Sequence, residues 1–176
     1  MTSAEPPRFL VRERRDSDAD ALVPALLEVH RLDGYPILER HASAEWLFGG
    51  AERAWVAESS GTAVAHVCVV RDFASPGLDA AVPAGPATVL GLARLFVAPA
   101  GRGLGAASAL IAEVEGYAAA VGLPLALEVV EHNTAAIALY ERQGWLRVGS
   151  YVANWFGDDG PHPVAHVYLA PKIAAL

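Results

Sequence analysis

The chain has 176 residues, 53% of them hydrophobic and 19% charged, a balance that suits a globular protein with a sizeable core and excludes a disordered one. Thirteen Lys and Arg against twenty Asp and Glu leave a net charge of −7, which argues against a general nucleic-acid binder, because neutralising phosphate needs a basic field. A local basic patch stays open. All the cations but Lys172 are arginine, which we read as codon bias more than chemistry.

Cys68 is the only cysteine, so neither an intramolecular disulfide nor a Cys-rich zinc site can form. It lies in the apolar run Val64–Val70, where a small buried thiol is the plain expectation. Pro83, Pro86, Arg94 and Pro99 interrupt the most apolar region, well short of the ~20 residues of a membrane span. Met1–Pro7 has no basic segment followed by an apolar one, so no secretory signal is visible. A cytoplasmic protein without a membrane partner is expected.

Phe9–Arg14 alternates weakly and reads as a first strand. Asp16–Asp20 is acidic, as the first turn of a helix prefers, and Leu22, Leu26 and Val29 carry that helix to about Leu32 at helical spacing. Pro24 falls near the start of that helix, and a Pro beyond the first turn would kink it. Asp33-Gly34-Tyr35-Pro36 is turn chemistry, and Ser43 caps a short helix, Ala44–Phe48. Ala54–Glu58 and Val64–Val70 form a hairpin through Ser59-Ser60-Gly61. Phe73–Thr88, rich in Pro, Gly and Ala, reads as a long surface loop of the length that is often functional. Val89–Val97 is an apolar strand with Gly91 as its expected bulge.

Ala106–Val121 is the clearest helix, with Leu110, Ile111, Val114 and Val121 on one face and Gly122 and Pro124 ending it. Leu125–Val130 is a short buried strand. Thr134–Gln143 is a second strong helix, capped by Asn133 and stopped at Gly144. Trp145–Tyr151 and Val164–Leu169 are the last strands, joined by the turn-rich Asn154–Pro163. The order β-α-α-β-β-β-α-β-α-β-β, without repeat or linker, predicts a mixed α/β sheet in one domain.

The most informative stretch is Leu95-Phe96-Val97-Ala98-Pro99-Ala100-Gly101-Arg102-Gly103-Leu104-Gly105-Ala106-Ala107. A strand runs into a glycine-rich turn that opens a strong helix. Unpaired N–H groups and the helix dipole favour an anion there. Gly103 and Gly105 let a phosphate approach the backbone, and Arg102 adds a fixed charge. Gly101-x-Gly103-x-x-Ala106, with Glu128 further on, matches the dinucleotide fingerprint. Position counts against that reading, since only one further βα unit follows.

A fuller match comes from Arg102-x-x-Gly105-x-Ala107 after a strand ending Leu-Phe-Val-Ala-Pro, together with Leu127-Glu128-Val129-Val130-Glu131-His132-Asn133 leading into a helix with Leu139-Tyr140-Glu141, then Gly144 and Trp145. In order and distance these segments resemble the two signature motifs of the GNAT superfamily of acyl-CoA-dependent N-acetyltransferases, covering about residues 89–150. The coarse topology extends the resemblance over nearly the whole chain. It implies a mixed, mostly antiparallel central sheet of about seven strands, flanked by about four helices, with a V-shaped split between the fourth and fifth strands. Residues 1–176 would then form a single N-acetyltransferase domain.

The resemblance implies acetyl-CoA as acyl donor and a small-molecule or peptide amine as acceptor, with direct attack of a primary amine on the thioester in a ternary complex. It assigns the pyrophosphate to Arg102, Gly103, Leu104, Gly105, Ala106 and Ala107. The pantetheine amides fall to the backbone of Leu95, Phe96 and Val97, which otherwise read as core strand. Asn133 becomes a cofactor-side hydrogen-bond partner, with a plain N-cap as the alternative. Tyr140, otherwise a core aromatic, becomes the proton donor to the departing thiolate.

An ammonium of pKa ~10.4 must lose a proton at a cost of roughly 4–5 kcal/mol at pH 7, so a base or its equivalent is needed. Glu128 is the first candidate, with pairing to a nearby Arg as the structural alternative. His66, Glu28, Glu131 and His132 come after it, and His66 also reads as a satisfied core histidine. Tyr35, Trp46, His66 and Trp155 are the candidate acceptor-binding residues, each also readable as packing. Six histidines without an i, i+4 pair on an expected helix or a helical His-Glu-x-x-His pattern imply no metal site. Homodimerisation is common in similar proteins, with the hairpin Trp145–Leu169 as its candidate surface. The competing class is a non-catalytic acyl-CoA-binding module of the same fold.

Overall fold

The computed structural model describes residues 9–78, 81–82 and 88–171. The reading of Met1–Pro7 and part of that of Phe73–Thr88 therefore fall outside the described residues. The described residues form seven strands and four α-helices. The strands are β1 (Leu10–Glu13), β2 (Arg53–Ser59), β3 (Thr62–Val70), β4 (Leu90–Val97), β5 (Leu125–Val130), β6 (Leu146–Val152) and β7 (Val164–Leu169). The helices are α1 (Ala19–Asp33), α2 (Ala44–Phe48), α3 (Ala106–Val121) and α4 (Thr134–Arg142).

The strands hydrogen-bond in the order β1-β2-β3-β4-β5-β7-β6. β1–β2, β2–β3, β5–β7 and β6–β7 are antiparallel, and β4–β5 is parallel. This mostly antiparallel open sheet overturns the dinucleotide-fold alternative, which needs a run of parallel βα units. The chain divides into two compact units, Met1–Val69 with Arg94–Val114, and Val70–Ala93 with Glu115–Leu176.

In the first unit, Leu22, Leu26 and Val29 of α1 bury against Leu47, Val56, Ala63 and Phe96, each such side chain contributing about 1.5–3 kcal/mol. The helix runs unbroken through Pro24. Pro24 and Asp20 are both exposed, so water can take the Asp20 carbonyl that the missing N–H leaves unpaired. Gly34, at φ 70°, closes α1 by donating to the His30 carbonyl. Arg12 ties β1 to its surroundings, with two bonds of 2.8 Å to Asp18 and one of 2.7 Å to Glu58. β2 and β3 join through Ser60 and Gly61, both left-handed at φ 51° and 79°, the backbone of a tight hairpin turn.

Gly91 pairs in register with Ala126. The irregularity in β4 lies instead at Arg94, whose φ is +54°. A Cβ on Gly91 would come within 2.6 Å of Phe73 and 2.8 Å of Val70, so glycine is there for close packing and not for a bulge.

In the second unit β7 inserts between β5 and β6. Leu78 and Val89 pack with Ala126 and Val167, flanked by Phe73, Val82 and Tyr151. The segment expected to be a bare surface loop thus contributes apolar cover for one sheet face. Gly77 and Gly149 make the close approach there: a Cβ on Gly149 would lie 2.8 Å from the Gly77 Cα.

Candidate active site

β4 ends in a 3-10 turn, Pro99–Gly101, and α3 begins five residues later. Between them Gly103 and Gly105 take φ of +74° and +83°, and a Cβ at either would meet open space. Among the described residues, the N–H groups of Gly103 through Ser108 meet no backbone carbonyl, the first helical-type bond being Ala109 N–H to the Gly105 carbonyl at 3.1 Å. Such a row of unpaired donors at the positive end of a helix dipole is an anion site. Arg102 is exposed beside it. Its Nε donates to the Val97 carbonyl at 3.3 Å and its Nη2 pairs with Asp33, the last residue of α1.

In the second unit Asn133 caps α4, its Oδ1 accepting from the Ala136 N–H at 3.3 Å. The cap engages the oxygen and leaves the Nδ2 amide to donate elsewhere. Tyr140 sits two turns on and is 5% exposed. Its ring lies 5.6 Å from Trp145 and 6.4 Å from Tyr168. Each of those neighbours has a polar partner: Trp145 Nε1 donates to Glu115 at 2.8 Å, and Tyr168 donates to Glu141 at 2.8 Å. The Tyr140 hydroxyl has no hydrogen-bond partner among the described residues. Burial pushes its pKa well above the ordinary phenol value.

Glu128 is paired, but not with an arginine. The Tyr151 hydroxyl donates to its Oε1 at 2.5 Å, and Trp155 Nε1 donates to Tyr151 at 3.2 Å. Burial, then the bond to Glu128, pushes the Tyr151 phenol up to about 12. Glu128 and Trp155 are thus joined through a tyrosine that sequence reasoning missed. Glu128 opposes Val167 on β7, whereas Tyr168, against which Tyr140 packs, opposes Leu127. By strand alternation Glu128 and the Tyr168–Tyr140 contact belong to opposite faces of the sheet.

The other candidate acceptor residues lie in the first unit. Tyr35 meets Trp46 edge-on at 6.2 Å, and His41 stacks on Trp46 at 5.7 Å. His66 is fully buried. Its Nδ1 is 2.8 Å from the Arg94 carbonyl and its Nε2 2.9 Å from Arg14 Nη1. A carbonyl only accepts and a guanidinium only donates, so the proton is on Nδ1 and both ring nitrogens are occupied. Burial holds its pKa at about 3, and the ring stays neutral. This placement favours the core-histidine reading. Glu28, Glu131 and His132 are exposed.

Arg94 and Arg14 are the residues the sequence analysis passed over. Arg94 Nη1 donates to the Gly49 carbonyl at 2.7 Å and approaches Cys68 Sγ at 3.7 Å, and its guanidinium lies 5.2 Å from the Trp46 ring centroid. Arg14 Nη1 donates to the Leu47 carbonyl at 3.0 Å, with the guanidinium 3.8 Å over Phe48. An arginine inside an apolar strand was the available signal.

Among the described residues no group of three His, Cys, Asp or Glu could hold a metal ion, and no helix is long and apolar enough to cross a membrane.

A mostly antiparallel open sheet with the parallel pair β4–β5 thus leads into a glycine turn whose N–H groups are unpaired at the start of α3. Residues 20–145 match the family model described as the acetyltransferase (GNAT) family, and the chain belongs to that family. Its fold is similar to Arabidopsis thaliana NAA60 solved with acetyl-CoA, at 23% identity over 92% of this chain and 97% of that one, TM-score 0.68. It is also similar to a GCN5-related N-acetyltransferase from Kribbella flavida (24% identity, 95% and 99% covered, TM-score 0.65) and an N-acetyltransferase from Staphylococcus aureus Mu50 (18%, 92% and 96%, TM-score 0.66). No curated protein matches the sequence.

Proposed function

We propose that residues 1–176 form one N-acetyltransferase domain that moves the acetyl group of acetyl-CoA to a primary amine by direct attack. The observation that carries this reading is the run of unpaired N–H groups from Gly103 to Ser108 on an open glycine surface. Its size and sign fit a pyrophosphate, and the NAA60 neighbour was solved with acetyl-CoA. Arg102 and the segment Gly103–Ala107 would hold the pyrophosphate. The main chain of Leu95, Phe96 and Val97 would pair with the pantetheine amides. The β4–β5 ladder comprises Leu90↔Leu125 and Gly91↔Ala126, a short register that supports a split beyond it.

Bound acetyl-CoA supplies an acyl carbon activated as a thioester. On the acceptor side, Glu128 Oε1 is held by Tyr151, which leaves Oε2 to take the proton of the ammonium. On the sulfur side, Tyr140 hydrogen-bonds the leaving group. An ordinary phenol giving its proton to a thiolate is already uphill by roughly 2 kcal/mol, and burial of Tyr140 makes the transfer harder. Its role is therefore to donate a hydrogen bond to the sulfur as charge develops, and the released thiolate takes its proton from solvent. Glu128 and Tyr140 on opposite sheet faces suit a reaction whose proton acceptor and proton donor serve opposite ends of one line of attack.

Calorimetric titration with acetyl-CoA, with NADH as control, on wild type and Arg102→Glu tests the reading. Acetyl-CoA binding that the charge reversal abolishes supports it. Absence of acetyl-CoA binding to the wild type overturns it.

A further inference from the structure

Two arginines of the first unit, Arg14 and Arg94, are held without a carboxylate partner among the described residues. Arg12, Arg53, Arg102 and Arg147 each pair with a carboxylate. Arg14 and Arg94 do not: among the described residues their polar partners are two carbonyls, the Cys68 sulfur and the His66 ring. Each also stands against an aromatic ring, Arg14 over Phe48 and Arg94 beside Trp46. None of these partners carries a negative charge. His66 lies between them, neutral, with Arg14 on one nitrogen and the Arg94 carbonyl on the other.

A half-buried guanidinium without a counter-ion is costly unless an anion joins it. For Arg94 the open edge can be named. Nη1 is used by Gly49 and Cys68, whereas Nε and Nη2 have no partner among the described residues and are not sealed from solvent. Nε and Nη2 form the fork that takes a carboxylate through two parallel bonds. The backbone of Arg94 is held at φ +54° within β4, a strained state for a side-chain-bearing residue of the kind that gathers at ligand sites. Arg94 also immediately precedes Leu95–Val97, the segment assigned to pantetheine, and its guanidinium lies beside the Trp46 ring that Tyr35 and His41 flank.

We propose that the acceptor is an amino acid or a close analogue, a small amine that also carries a carboxylate, and that the Nε–Nη2 edge of Arg94 binds this carboxylate beside Trp46. The proposal rests on the acetyltransferase reading and deepens it by naming the substrate class. Arg14 adds a second positive charge to the same region, and the buried neutral His66 fixes the Arg94 backbone.

The test compares the common L-amino acids with their primary amides, which keep the amine and side chain and lose only the anion. Acetyl-CoA consumption is measured for wild type, Arg94→Gln and Arg94→Lys, after calorimetry has shown whether acetyl-CoA binds. For the best acceptor, kcat/KM is expected to favour the acid over its amide by about 10- to 100-fold, as a charge-assisted bidentate contact allows. In Arg94→Gln this ratio falls towards one, chiefly through KM for the acid, and Arg94→Lys restores part of it. A merely structural Arg94 would lower both acceptors together and leave the ratio unchanged, which overturns the proposal. Acetyl-CoA binding with transfer only to amides, polyamines or peptide N-termini also overturns it, while acetyl transfer stands. Failure to bind acetyl-CoA overturns both readings.

Discussion

The hydroxyl of Tyr151 on β6 reaches past β7 to Glu128 on β5 and donates to its Oε1 at 2.5 Å. The two strands are not neighbours. Ala165 on β7 faces both Tyr151 and Val130, and Val167 faces both Glu128 and Gly149, so small or compact residues lie where the tyrosine must pass. The bond keeps a carboxylate in one orientation while occupying one of its oxygens.

Removing either partner should therefore have different consequences. Glu128→Gln takes away the proposed proton acceptor, and acetyl transfer should fall by about 10²-fold or more. Tyr151→Phe removes only the orienting bond and should cost about tenfold at most. Steady-state rates for the two variants, at saturating acetyl-CoA, check the order. A larger loss in Tyr151→Phe than in Glu128→Gln would assign the chemistry to the phenol instead. The tyrosine has its own signature as well. Its pKa is pushed above the unfolded value of ~10 to about 12, so the folded state keeps a proton that the unfolded state releases. That contribution to stability is complete below pH ~10 and disappears as pH rises through 12. Alkaline unfolding followed by circular dichroism should start at lower pH in wild type than in Tyr151→Phe.

Tyr140 makes a different case, because its hydroxyl bonds to nothing among the described residues. Tyr140→Phe keeps the ring between Trp145 and Tyr168 and strands no partner. Folding stability should change by less than about 1 kcal/mol. Turnover should fall much more than acetyl-CoA affinity, since the phenol meets the sulfur as charge develops and not before. Single-turnover rates and calorimetry on the same preparation separate the two quantities. Equal losses in rate and affinity would make Tyr140 a packing residue.

The sequence carried the local elements well. Ser60-Gly61 supplies the left-handed backbone of the β2–β3 hairpin, and the apolar face of Ala106–Val121 with Gly122 behind it fixes both ends of α3. The loop Arg102–Ala107 was legible for the same reason, since glycines and a helix start sit next to each other in the chain. What was not legible depends on strand order. Tyr151 meets Glu128 only because β7 enters between β5 and β6, and that pairing is set by residues far apart in sequence. Leu78 looked like a loop residue because its partners, Ala126 and Val167, are supplied by two distant strands. Gly91 attracted the bulge by composition, but contact with Phe73 and Val70 explains that glycine, and Arg94 takes the left-handed turn instead.

His66 gives a pH dependence of opposite sign to that of Tyr151. Burial lowers its pKa to about 3, far below the ~6.5 of an exposed histidine. The unfolded chain therefore binds a proton that the folded chain refuses. Stability from this residue is fully present above pH ~6.5 and is lost as pH falls towards 3, on the order of 5 kcal/mol in all. His66→Gln keeps a donor and an acceptor for the Arg94 carbonyl and Arg14 but cannot titrate. Its stability at neutral pH should drop by about 1–3 kcal/mol through imperfect hydrogen bonds, while its urea midpoint between pH 6.5 and 4 should fall less steeply than that of wild type. A parallel pair of curves would remove His66 from the acid response.

Asp33 sits where it competes for the charge that the anion loop needs. Its carboxylate pairs with Arg102 Nη2, and both side chains are more than two-fifths exposed. An exposed pair of this kind contributes only about 0–1 kcal/mol to stability, so Asp33→Asn should leave folding almost unchanged. The same substitution removes a negative charge beside the proposed pyrophosphate site and releases Arg102 to face it. Acetyl-CoA should then bind about 2- to 5-fold more tightly at low salt, and the gain should shrink as salt screens it. Titrations of wild type and Asp33→Asn at two salt concentrations measure both effects. Weaker binding in Asp33→Asn would mean that the ion pair orients Arg102 for the ligand, and that the carboxylate assists the site it was expected to oppose.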